Sequence, residues 1–312
     1  MLAVIRITPL GNLGNQMLQL MLAQSLASRA PGTDVVGYDL PPWNLRKPGP
    51  SAGPRRPVSL EGHFIDLDLI GALLRMRVLR EVELRGYGFR MENYLPRAVY
   101  QSTFSCSAAL PEPCPEDTLV ISVRGAETLA GGHPDYGPVP VIFYKQLLEH
   151  TGLRPLFIGQ LGEDYYSRML RRWFPDARFV PSMGPLQDFE FIRRSKHIVA
   201  SVSTFSWLAA WLSEASTVHL PVLGFFNPRQ RPDVDLLPWN DERYAFYGFP
   251  VRPWTASSRQ IADLGADHAF AQVARSEVCS SLAEAKALTR SERRRGRRRV
   301  LGQAIGRLLM AA

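Results

Sequence analysis

Apolar runs that alternate with amphipathic stretches constrain the fold of this chain more than any other feature. The strand-like runs lie at 2–7, 118–123, 155–158, 197–201 and 217–221. Stretches with helical periodicity lie between several of them, at 17–29, 141–151, 164–174, 186–195 and 207–214. Strands that alternate with helices are typical of a parallel sheet with helices on both faces. The sequence therefore predicts an α/β fold.

Proline-rich segments suggest how the chain is divided. The segment ALPEPCPED at 109–117 has the composition of a linker, and an apolar strand begins directly after it. A chain of 312 residues is long enough for two lobes of ordinary size. We therefore predict an amino-terminal lobe over 1–115, a second lobe over 116–255, and carboxy-terminal helices with a basic amphipathic tail over 256–312. The Pro- and Gly-rich stretch 41–57 predicts an irregular surface loop.

The positive charge of the chain is concentrated near its carboxyl end. The formal net charge is +8, and residues 290–299 (RSERRRGRRR) hold seven arginines and one glutamate. The remainder is close to neutral, so its charge does not indicate a specific nucleic-acid partner. Two interpretations of 290–312 stay open. It is a solvated helix end, or it is a basic amphipathic anchor on an anionic membrane, where each arginine near the surface contributes about 1 kcal/mol.

Neither a targeting signal nor a metal-binding pattern is evident. The chain lacks the roughly 18–20 consecutive apolar residues of a membrane-spanning helix, and the apolar run 2–7 is too short for a signal peptide. We therefore expect a cytoplasmic protein. The three cysteines, Cys106, Cys114 and Cys279, form no CxxC pair and have no histidine at zinc-ligand spacing. Cys106 and Cys114 are near enough in sequence to bridge, but the odd number of cysteines favours free thiols.

Ligands of such sheets bind beyond the carboxyl ends of the strands, and three stretches have that position. The first is GNLGNQMLQL at 11–20, where Gly11 and Gly14 precede a helix. Glycines permit close approach of the backbone, and the first amides of a helix favour an anion. Capping of the helix by Asn12 or Asn15 explains the same residues about as well.

The second stretch is LVISVRGAET at 119–128. Arg124 follows the strand, and Gly125 allows the chain to turn. An arginine at this edge can bind a phosphate through a forked pair of hydrogen bonds. Glu127 would orient Arg124 or be a solvated carboxylate. An exposed arginine at a strand end is the simpler alternative.

The third stretch is HIVASVSTFSWLAAWLSEAS at 197–216. Hydroxyl side chains gather where its strand turns into a helix, at Ser201, Ser203, Thr204 and Ser206. Hydroxyls and helix amides can donate to phosphate oxygens, whereas capping alone would need only one of these side chains. Trp207 and Trp211 lie one helical turn apart, which predicts core packing.

Together the three stretches resemble a known family. The run GNLGNQMLQLMLAQSLA is similar to the opening G-G-L-G-N-Q-M-F-Q-Y motif of the bacterial α-1,2-fucosyltransferases, glycosyltransferase family 11. SVRGAE resembles that family's H-x-R-R-G-D motif, and IVASVSTFSWLAAWLS is similar to its I-x-x-N-S-S-F-S-W-W-x-A-W-L segment. The order and separation of the motifs agree as well, and the resemblance covers most of residues 1–215.

The resemblance implies a GT-B-like fold, with two Rossmann-like lobes, parallel sheets and an interlobe cleft. It also implies an inverting transfer of L-fucose from GDP-fucose to a hydroxyl of a glycan acceptor, with no metal ion and no cofactor. The second lobe would bind the nucleotide sugar, with Arg124 on the diphosphate and Asp188 on the guanine edge. The other donor-binding residues carried over by motif are Gly14, Asn15, Ser203, Thr204, Phe205 and Ser206.

The middle motif departs from the family. In the register that keeps a carboxylate partner for the arginine, Ser122 stands where the family has His, Gly125 replaces the second Arg, and Glu127 replaces the Asp. A shift of one residue instead places Arg124 on the second Arg and Ala126 at the Asp. We prefer the first register, with Ser122 as a donor-binding residue and with Arg124 and Glu127 as catalytic residues.

The acceptor and its activating base are less defined. Candidates for the base are Glu127, Asp135 and His133, and Arg193 or Arg194 would compensate for the missing second arginine. Amino-terminal lobes of two-lobed transferases receive the acceptor, and core packing is the alternative for the candidates there, which are Trp43, His63, Tyr87 and Tyr94. A tail docked on a membrane would make a lipid-linked glycan the natural acceptor class.

Three other functions stay open. The first is a transferase for another nucleotide sugar, which Ser122 in place of the family His favours. The second is a non-catalytic protein that binds a sugar nucleotide or a glycan. The third is a nucleic-acid binder that uses the arginine-rich tail.

Overall fold

The computed structural model describes residues 2–49, 57–106, 112, 114–266 and 270–309, except for the side chains of 126, 127 and 307–309. The chain forms two compact units. The first unit contains Met1–Cys106, Asp233–Leu236 and Ala285–Ala312, and the second contains Ser107–Pro232 and Leu237–Glu284. The second unit therefore begins close to the proline-rich linker, whereas the segment predicted as 256–312 is divided between the two units.

The first unit is built on a parallel sheet of four short strands and a separate hairpin. Its strands are β1 (Val4–Ile7), β2 (Asp34–Val36), β3 (Tyr38–Leu40), β4 (Leu45–Lys47), β5 (Val58–Leu60) and β6 (Glu81–Leu84). Its first three helices are α1 (Leu13–Arg29), α2 (Leu67–Arg75) and α3 (Arg97–Thr103). The parallel sheet has the order β2-β1-β6-β5, and β3 pairs antiparallel with β4.

The predicted irregular loop over 41–57 is partly regular, so the prediction is wrong for its first half. A 3₁₀ turn spans Pro41–Trp43, and β4 follows it. Trp43 is buried, and its ring meets the ring of Phe104 edge-on at 5.6 Å between centroids. Burial of one large aromatic side chain orders a segment whose proline content indicates a loop. Residues 50–56 lie outside the described part of the chain.

The second unit is built on a sheet of seven strands. These are β7 (Thr118–Val123), β8 (Arg154–Gly159), β9 (Arg178–Pro181), β10 (His197–Val199), β11 (Thr217–Val222), β12 (Tyr244–Gly248) and β13 (Ala271–Val273). The helices are α4 (Val141–Thr151), α5 (Tyr165–Trp173), α6 (Pro185–Arg193), α7 (Thr204–Trp211) and α8 (Ser258–Asp263), together with α9 (Arg275–Leu288), whose residues up to Glu284 belong to this unit and whose last four residues belong to the first. The strand order is β13-β12-β11-β10-β7-β8-β9, and only β13 runs antiparallel to its neighbour.

The core of the second unit explains its sequence pattern. All six residues of β7 are buried, because strands covered by helices on both faces are apolar along their whole length. In α7 the rings of Trp207 and Trp211 stack at 5.6 Å between centroids, and both side chains are buried. The predicted core packing of this pair and the predicted α/β class are confirmed. All five predicted strands and all five predicted helices are present.

The arginine-rich segment forms the first half of a helix, α10 (Arg290–Leu309), that packs within the first unit. Its arginines make three ion pairs there, namely Arg293 with Glu92 at 2.6 Å, Arg297 with Asp66 at 3.5 Å and Arg299 with Glu61 at 2.9 Å. Val300 and Ala304 of the same helix are buried. The interpretation of this segment as a solvated helix end therefore holds only in part, because six of the seven arginines in 290–299 are exposed but one side of the helix is packed.

Two further sequence expectations concern membranes and thiols. No helix in the described ranges has both the length and the apolar character needed to cross a bilayer. Cys106, Cys114 and Cys279 are free thiols. This is the state that the odd number of cysteines favours over a Cys106–Cys114 bridge.

Gln19 of α1 holds the loop between β1 and α1 in place through side-chain hydrogen bonds. This loop begins the first of the three stretches. Gln19 is fully buried, and its Oε1 accepts a hydrogen bond from the Leu10 amide at 3.0 Å. Its Nε2 donates to the Thr8 carbonyl at 3.1 Å and to the Gly86 carbonyl at 3.4 Å. Gly11 continues the loop at φ +66°, a left-handed conformation that favours glycine. The shape of this loop therefore depends on Gln19.

Replacement of Gln19 by leucine should lower the free energy of unfolding by about 2–4 kcal/mol, because buried backbone groups lose their partners. Denaturant unfolding monitored by circular dichroism measures the effect. Gln16→Leu on the same helix is the matched control. Gln16 makes one exposed bond, to the Gly11 carbonyl, so that change should stay within about 1 kcal/mol. Equal effects of the two changes would contradict the role given to Gln19.

A buried histidine in β11 couples the stability of the second unit to pH. His219 is buried, and its Nδ1 lies 2.9 Å from the Tyr247 hydroxyl. Burial, together with the charges of His197 and His150, lowers the pKa of His219 from 6.5 to about 4. The unfolded chain therefore binds this proton more tightly than the folded chain does, and folding is favoured where the imidazole is neutral.

The contribution of His219 should be complete above pH 6.5 and should be lost as the pH falls toward 4, by about 3 kcal/mol in total. Unfolding free energies measured across this range test it. His219→Gln keeps a polar partner for Tyr247 and removes the titration, so the difference between wild type and variant should change steadily with pH. A constant difference would contradict the prediction.

Candidate functional site

The second and third sequence stretches meet at one edge of the second unit. Their strands, β7 and β10, are neighbours in the sheet, so their carboxyl ends lie side by side. Arg124 directly follows β7, and its Nη1 donates a hydrogen bond to Ser203 Oγ at 3.2 Å. The guanidinium carbon of Arg124 also lies 5.5 Å from the ring centre of Tyr136. The structure thus brings together Arg124, predicted as a catalytic residue, and Ser203, predicted as a donor-binding residue.

Ser203 is the N-cap residue of α7. Its Oγ accepts from the Phe205 amide at 3.2 Å as well as from Arg124, so both lone pairs of this oxygen are in use. Among the described residues, nothing accepts the hydrogen of the Ser203 hydroxyl. A hydroxyl donor, a guanidinium and the positive end of a helix therefore adjoin one another, which is an arrangement suited to an anion. Thr204, the next residue, is buried.

Ser122, Ser201 and Ser206 form a buried chain of hydroxyls. Ser122 Oγ lies 3.4 Å from Ser201 Oγ, which in turn lies 2.8 Å from Ser206 Oγ. Ser206 Oγ also donates to the Ser201 carbonyl at 3.2 Å. This chain ties β7, the end of β10 and the first turn of α7 together. Both side chains are buried, and the predicted direct contact of Ser122 or Ser206 with a donor stays a prediction.

The turn after Arg124 is held by a residue that the motifs do not include. The Gly125 amide donates to Gln160 Oε1 at 3.0 Å, and a Cβ at Gly125 would lie 2.8 Å from the Gln160 carbonyl oxygen. This close approach requires glycine at the turn. A 3₁₀ turn follows over Ala126–Ala130. The side chain of Glu127 lies outside the described residues, so its predicted catalytic role stays a prediction.

Two of the candidate bases hold a loop in place. Asp135 is buried, and its carboxylate accepts from Arg231 at 2.9 Å and from Gln230 at 2.8 Å. The Asp135 amide donates to His133 Nδ1 at 3.2 Å. These contacts position Tyr136 against Arg124. Asp135 and His133 therefore have a structural role in this unit, and Tyr136 is a neighbour of the site that no motif indicated.

Asp188 fastens the connection between β9 and α6. Its Oδ2 accepts from Ser182 Oγ at 2.5 Å and its Oδ1 accepts from the Met183 amide at 2.8 Å. The next residue, Phe189, packs its ring edge-on against Phe205 at 5.5 Å, so Phe205 links α6 to α7. The predicted contact of Asp188 with guanine would have to use the lone pairs that these two bonds leave.

Arg193, predicted to compensate for the missing arginine, is paired inside α6. It donates to Glu190 Oε2 at 2.8 Å. Glu190 is fully buried, and burial raises the pKa of its carboxyl although the charge of Arg193 opposes this. Arg193 therefore neutralises a buried acid. Compensation by Arg194 stays a prediction.

A groove of about 630 Å³ lies beyond the carboxyl ends of β8 and β9. The 3₁₀ turn that follows Arg124 forms one wall through Leu129 and Ala130. Gln160, Tyr165 and Ser182 line the rest of it, and Ser182 is the partner of Asp188. The groove therefore adjoins the turn that begins at Arg124. It offers polar groups beside an aromatic ring.

In the first unit, Gly14 and Asn15 lie in the first turn of α1. Asn12 is the N-cap residue, but its side chain makes no capping hydrogen bond, so side-chain capping by Asn12 does not account for the sequence of this turn. Gly14 is buried. The predicted contact of Gly14 and Asn15 with the donor stays a prediction.

The aromatic candidates of the first unit differ in their surroundings. Trp43 is a core residue, as described above. The rings of His63, Tyr87 and Phe89 form one cluster, in which the centroids of His63 and Tyr87 lie 4.9 Å and 4.8 Å from that of Phe89 and 6.4 Å from each other. Nδ1 of His63 accepts from the Phe89 amide at 3.2 Å, and its Nε2 lies 3.6 Å from an Asp233 carboxylate oxygen. Both ring nitrogens of His63 are therefore engaged within the unit. Tyr94 meets Tyr100 edge-on at 6.4 Å.

Within the described ranges, no group of three or more His, Cys, Asp or Glu side chains is arranged to hold a metal ion. Comparisons with known proteins identify no family for the chain. No family model matches it, and no curated protein matches its sequence.

Several solved structures are similar to it at low identity. The bacterial iron-containing dodecameric glycosyltransferase TibC from enterotoxigenic E. coli is 15% identical over 76% of this chain, with a TM-score of 0.40, and this chain spans only 62% of the length of TibC. FUT1 of Arabidopsis thaliana, solved as a variant with GDP, is 11% identical over 70% of each chain, with a TM-score of 0.46.

The E. coli ADP-heptose LPS heptosyltransferase II is 13% identical over 92% of this chain and 99% of its own, with a TM-score of 0.42. Identities and TM-scores at this level assign neither a family nor an activity. A function for this chain therefore has to be inferred from its own residues at the edge of the second unit.

Proposed function

We propose that the protein is a glycosyltransferase that takes its sugar from a nucleotide-sugar donor. The observation that carries the proposal is the contact between Arg124 and Ser203 at the first turn of α7. These two residues belong to the two motif-like stretches that follow neighbouring strands. The donor diphosphate would lie here, against the guanidinium, the Ser203 hydroxyl and the first amides of α7.

Glycosyl transfer from such a donor breaks the bond between the sugar and a diphosphate. Negative charge grows on the leaving oxygen while positive charge grows on the sugar ring. Donors aimed at the leaving oxygen lower the barrier, because they are already oriented when the charge develops. Arg124 would supply a permanent charge and Ser203 a hydroxyl hydrogen. We propose that these groups suffice without a divalent cation.

For the donor we propose GDP-fucose, with inversion at the sugar carbon, on the resemblance of the first and third stretches to the family motifs. The groove beside Gln160 and Tyr165 is a suitable place for the guanine of the donor. Asp188 would contact the guanine through Ser182, which lines this groove. The acceptor would be a hydroxyl of a glycan, free or lipid-linked, used in bacterial surface polysaccharide or glycolipid synthesis. We propose a cytoplasmic location, with peripheral membrane contact through 290–312.

A transferase for another nucleotide sugar is the second candidate. The observation that favours it is Ser122, which stands in place of the family His and is used in the buried hydroxyl chain. A donor screen by calorimetry separates the two candidates. GDP-fucose should bind more tightly than the ADP-, UDP- and dTDP-sugars, and weaker binding of GDP than of the other nucleotides would end the fucose proposal.

Arg124→Ala should lower kcat by about 10²–10³-fold, because one charged donor to the leaving group is lost. The thermal unfolding midpoint should stay near that of wild type. Arg172→Ala is the matched control, because it removes an exposed arginine on α5 of the same unit. Turnover of the proposed donor is measured as release of free nucleotide in the presence of glycan acceptors.

Near-normal turnover by Arg124→Ala would remove the centre of the proposal. Wild-type protein that binds a donor but transfers to no acceptor and hydrolyses nothing would instead identify a non-catalytic binding protein. Turnover that stops when a chelator is added would contradict catalysis without a metal ion.

A further inference from the structure

A second concentration of positive charge lies in the first unit, where helix α10 covers a cavity of about 420 Å³. Five arginines line this space, which we call the arginine cavity. They are Arg29 of α1 and four residues of α10, namely Arg290, Arg293, Arg294 and Arg297. The four helix residues recur every three or four positions and so share one face of α10. None of them belongs to the donor site proposed above.

The carboxylates of the arginine cavity do not balance these arginines. Three acidic side chains line it, and each is already paired. Glu92 pairs with Arg293 at 2.6 Å, Asp66 with Arg297 at 3.5 Å, and Asp68 with Arg29 at 2.8 Å. Five arginines against three carboxylates leave two positive charges in excess. Among the described residues, Arg290 and Arg294 form no ion pair.

Two further cations approach Glu92 besides Arg293. Arg90 approaches it at 3.0 Å and Lys286 at 3.9 Å. Burial tends to raise the pKa of Glu92, but the charges of Arg90 and Arg293 hold it below its ordinary value. This carboxylate is therefore fully ionised at neutral pH and is surrounded by cations. It has no capacity left to neutralise Arg290 or Arg294.

Arg293 carries an unused donor inside the unit. Its guanidinium carbon lies 5.2 Å from the ring centre of Phe64. Its Nε is buried and has no hydrogen-bond partner. A buried N–H without a partner is unfavourable, and such groups usually indicate a ligand or an ordered water. This donor lies in the same cluster as the two arginines without ion pairs.

The spacing of the arginines on α10 is also unfavourable in itself. Arg290 with Arg294, and Arg293 with Arg297, are like charges one helical turn apart, which destabilise a helix. Arg290 and Arg293 also lie in its first turn, where the helix dipole disfavours positive charge. A bound anion would remove both penalties.

We propose that the arginine cavity binds a phosphate or diphosphate group, carried by a soluble molecule or by a lipid headgroup. Guanidinium groups bind phosphate oxygens in pairs and stay charged at any working pH. Two excess positive charges match one dianionic group. Arg290 and Arg294, which have no ion pair within the described part of the chain, would supply the cations for this ligand, and Phe64 would form the apolar side of its site. The inference is independent of the donor site in the second unit.

Pyrophosphate binding measured by calorimetry tests the site, in an Arg124→Ala background that removes the proposed donor contact. The cavity variant is Arg290→Gln with Arg294→Gln. The matched control is Arg295→Gln with Arg298→Gln, which removes the same charge from exposed positions of α10 outside the cavity. The cavity variant should bind pyrophosphate at least about tenfold more weakly, because two charge-assisted contacts are lost. The control should stay within about twofold of the background protein.

Equal weakening in the two double variants would overturn the proposal, because it would mean that the anion senses only the general charge of the helix. Absence of pyrophosphate binding in the background protein would overturn it as well. Neither result would bear on the donor proposal, which depends on turnover by protein with Arg124 intact.

Vesicles of phosphatidylcholine with and without phosphatidic acid distinguish the two sources of the phosphate. If the site takes a headgroup, sedimentation with phosphatidic acid should be lost in the cavity variant and kept in the control. If sedimentation is unchanged in the cavity variant while pyrophosphate binding is lost, the ligand is soluble. Either result supports the site and names its ligand.

Discussion

The parallel pairing of β7 with β10 is the constraint on which the rest of the second unit depends. The pairing aligns Leu119 with His197 and Ile121 with Val199. Two segments 79 residues apart in sequence therefore end at the same edge of the sheet. Arg124 directly follows β7, and Ser203 lies four residues after the end of β10 at the start of α7, so the two meet at this edge. The buried contact between Ser122 and Ser201 one layer below depends on the same register.

This register divides the polar residues of the edge into two groups. Ser122, Ser201 and Ser206 satisfy one another inside the unit, where unpaired hydroxyls would be costly. Ser203 differs from them, because it accepts two hydrogen bonds and keeps its own hydrogen to donate. A cluster of hydroxyls at a strand end is thus partly framework and partly site. All four residues are serines, so residue type does not separate them. Ser203 belongs to the site because its hydroxyl hydrogen is available to a ligand, whereas the other three hydroxyls bond to one another.

Much of the fold could be predicted from the sequence, and so could the meeting of Arg124 with Ser203. Buried strands in a parallel sheet are continuous apolar runs, and their carboxyl ends form one edge, so both predictions follow from local pattern. Tyr136, Gln160 and Gln19 could not be predicted in this way. Each acts through a contact with backbone or side chains of another loop, and no local periodicity records such a contact.

The tail shows the same limit. Its composition predicts a basic helix, but the partners of Arg293 and Arg299 lie 201 and 238 residues earlier in the chain. Composition counts charges without saying which of them are neutralised by distant acids. For the same reason the boundary of the carboxy-terminal segment could not be predicted, because membership of a unit depends on packing and not on sequence order.

The packing of α10 determines what shortening the chain would do. A chain that ended before Arg290 would lose one cation each from Glu92, Asp66 and Glu61, together with the buried contacts of Val300 and Ala304. Its first unit would then display an acidic, partly apolar surface that the complete protein keeps covered. Truncation would thus make the electrostatic potential of this surface more negative and expose apolar groups, whereas a variant that only lost the charges of the tail would keep those groups covered.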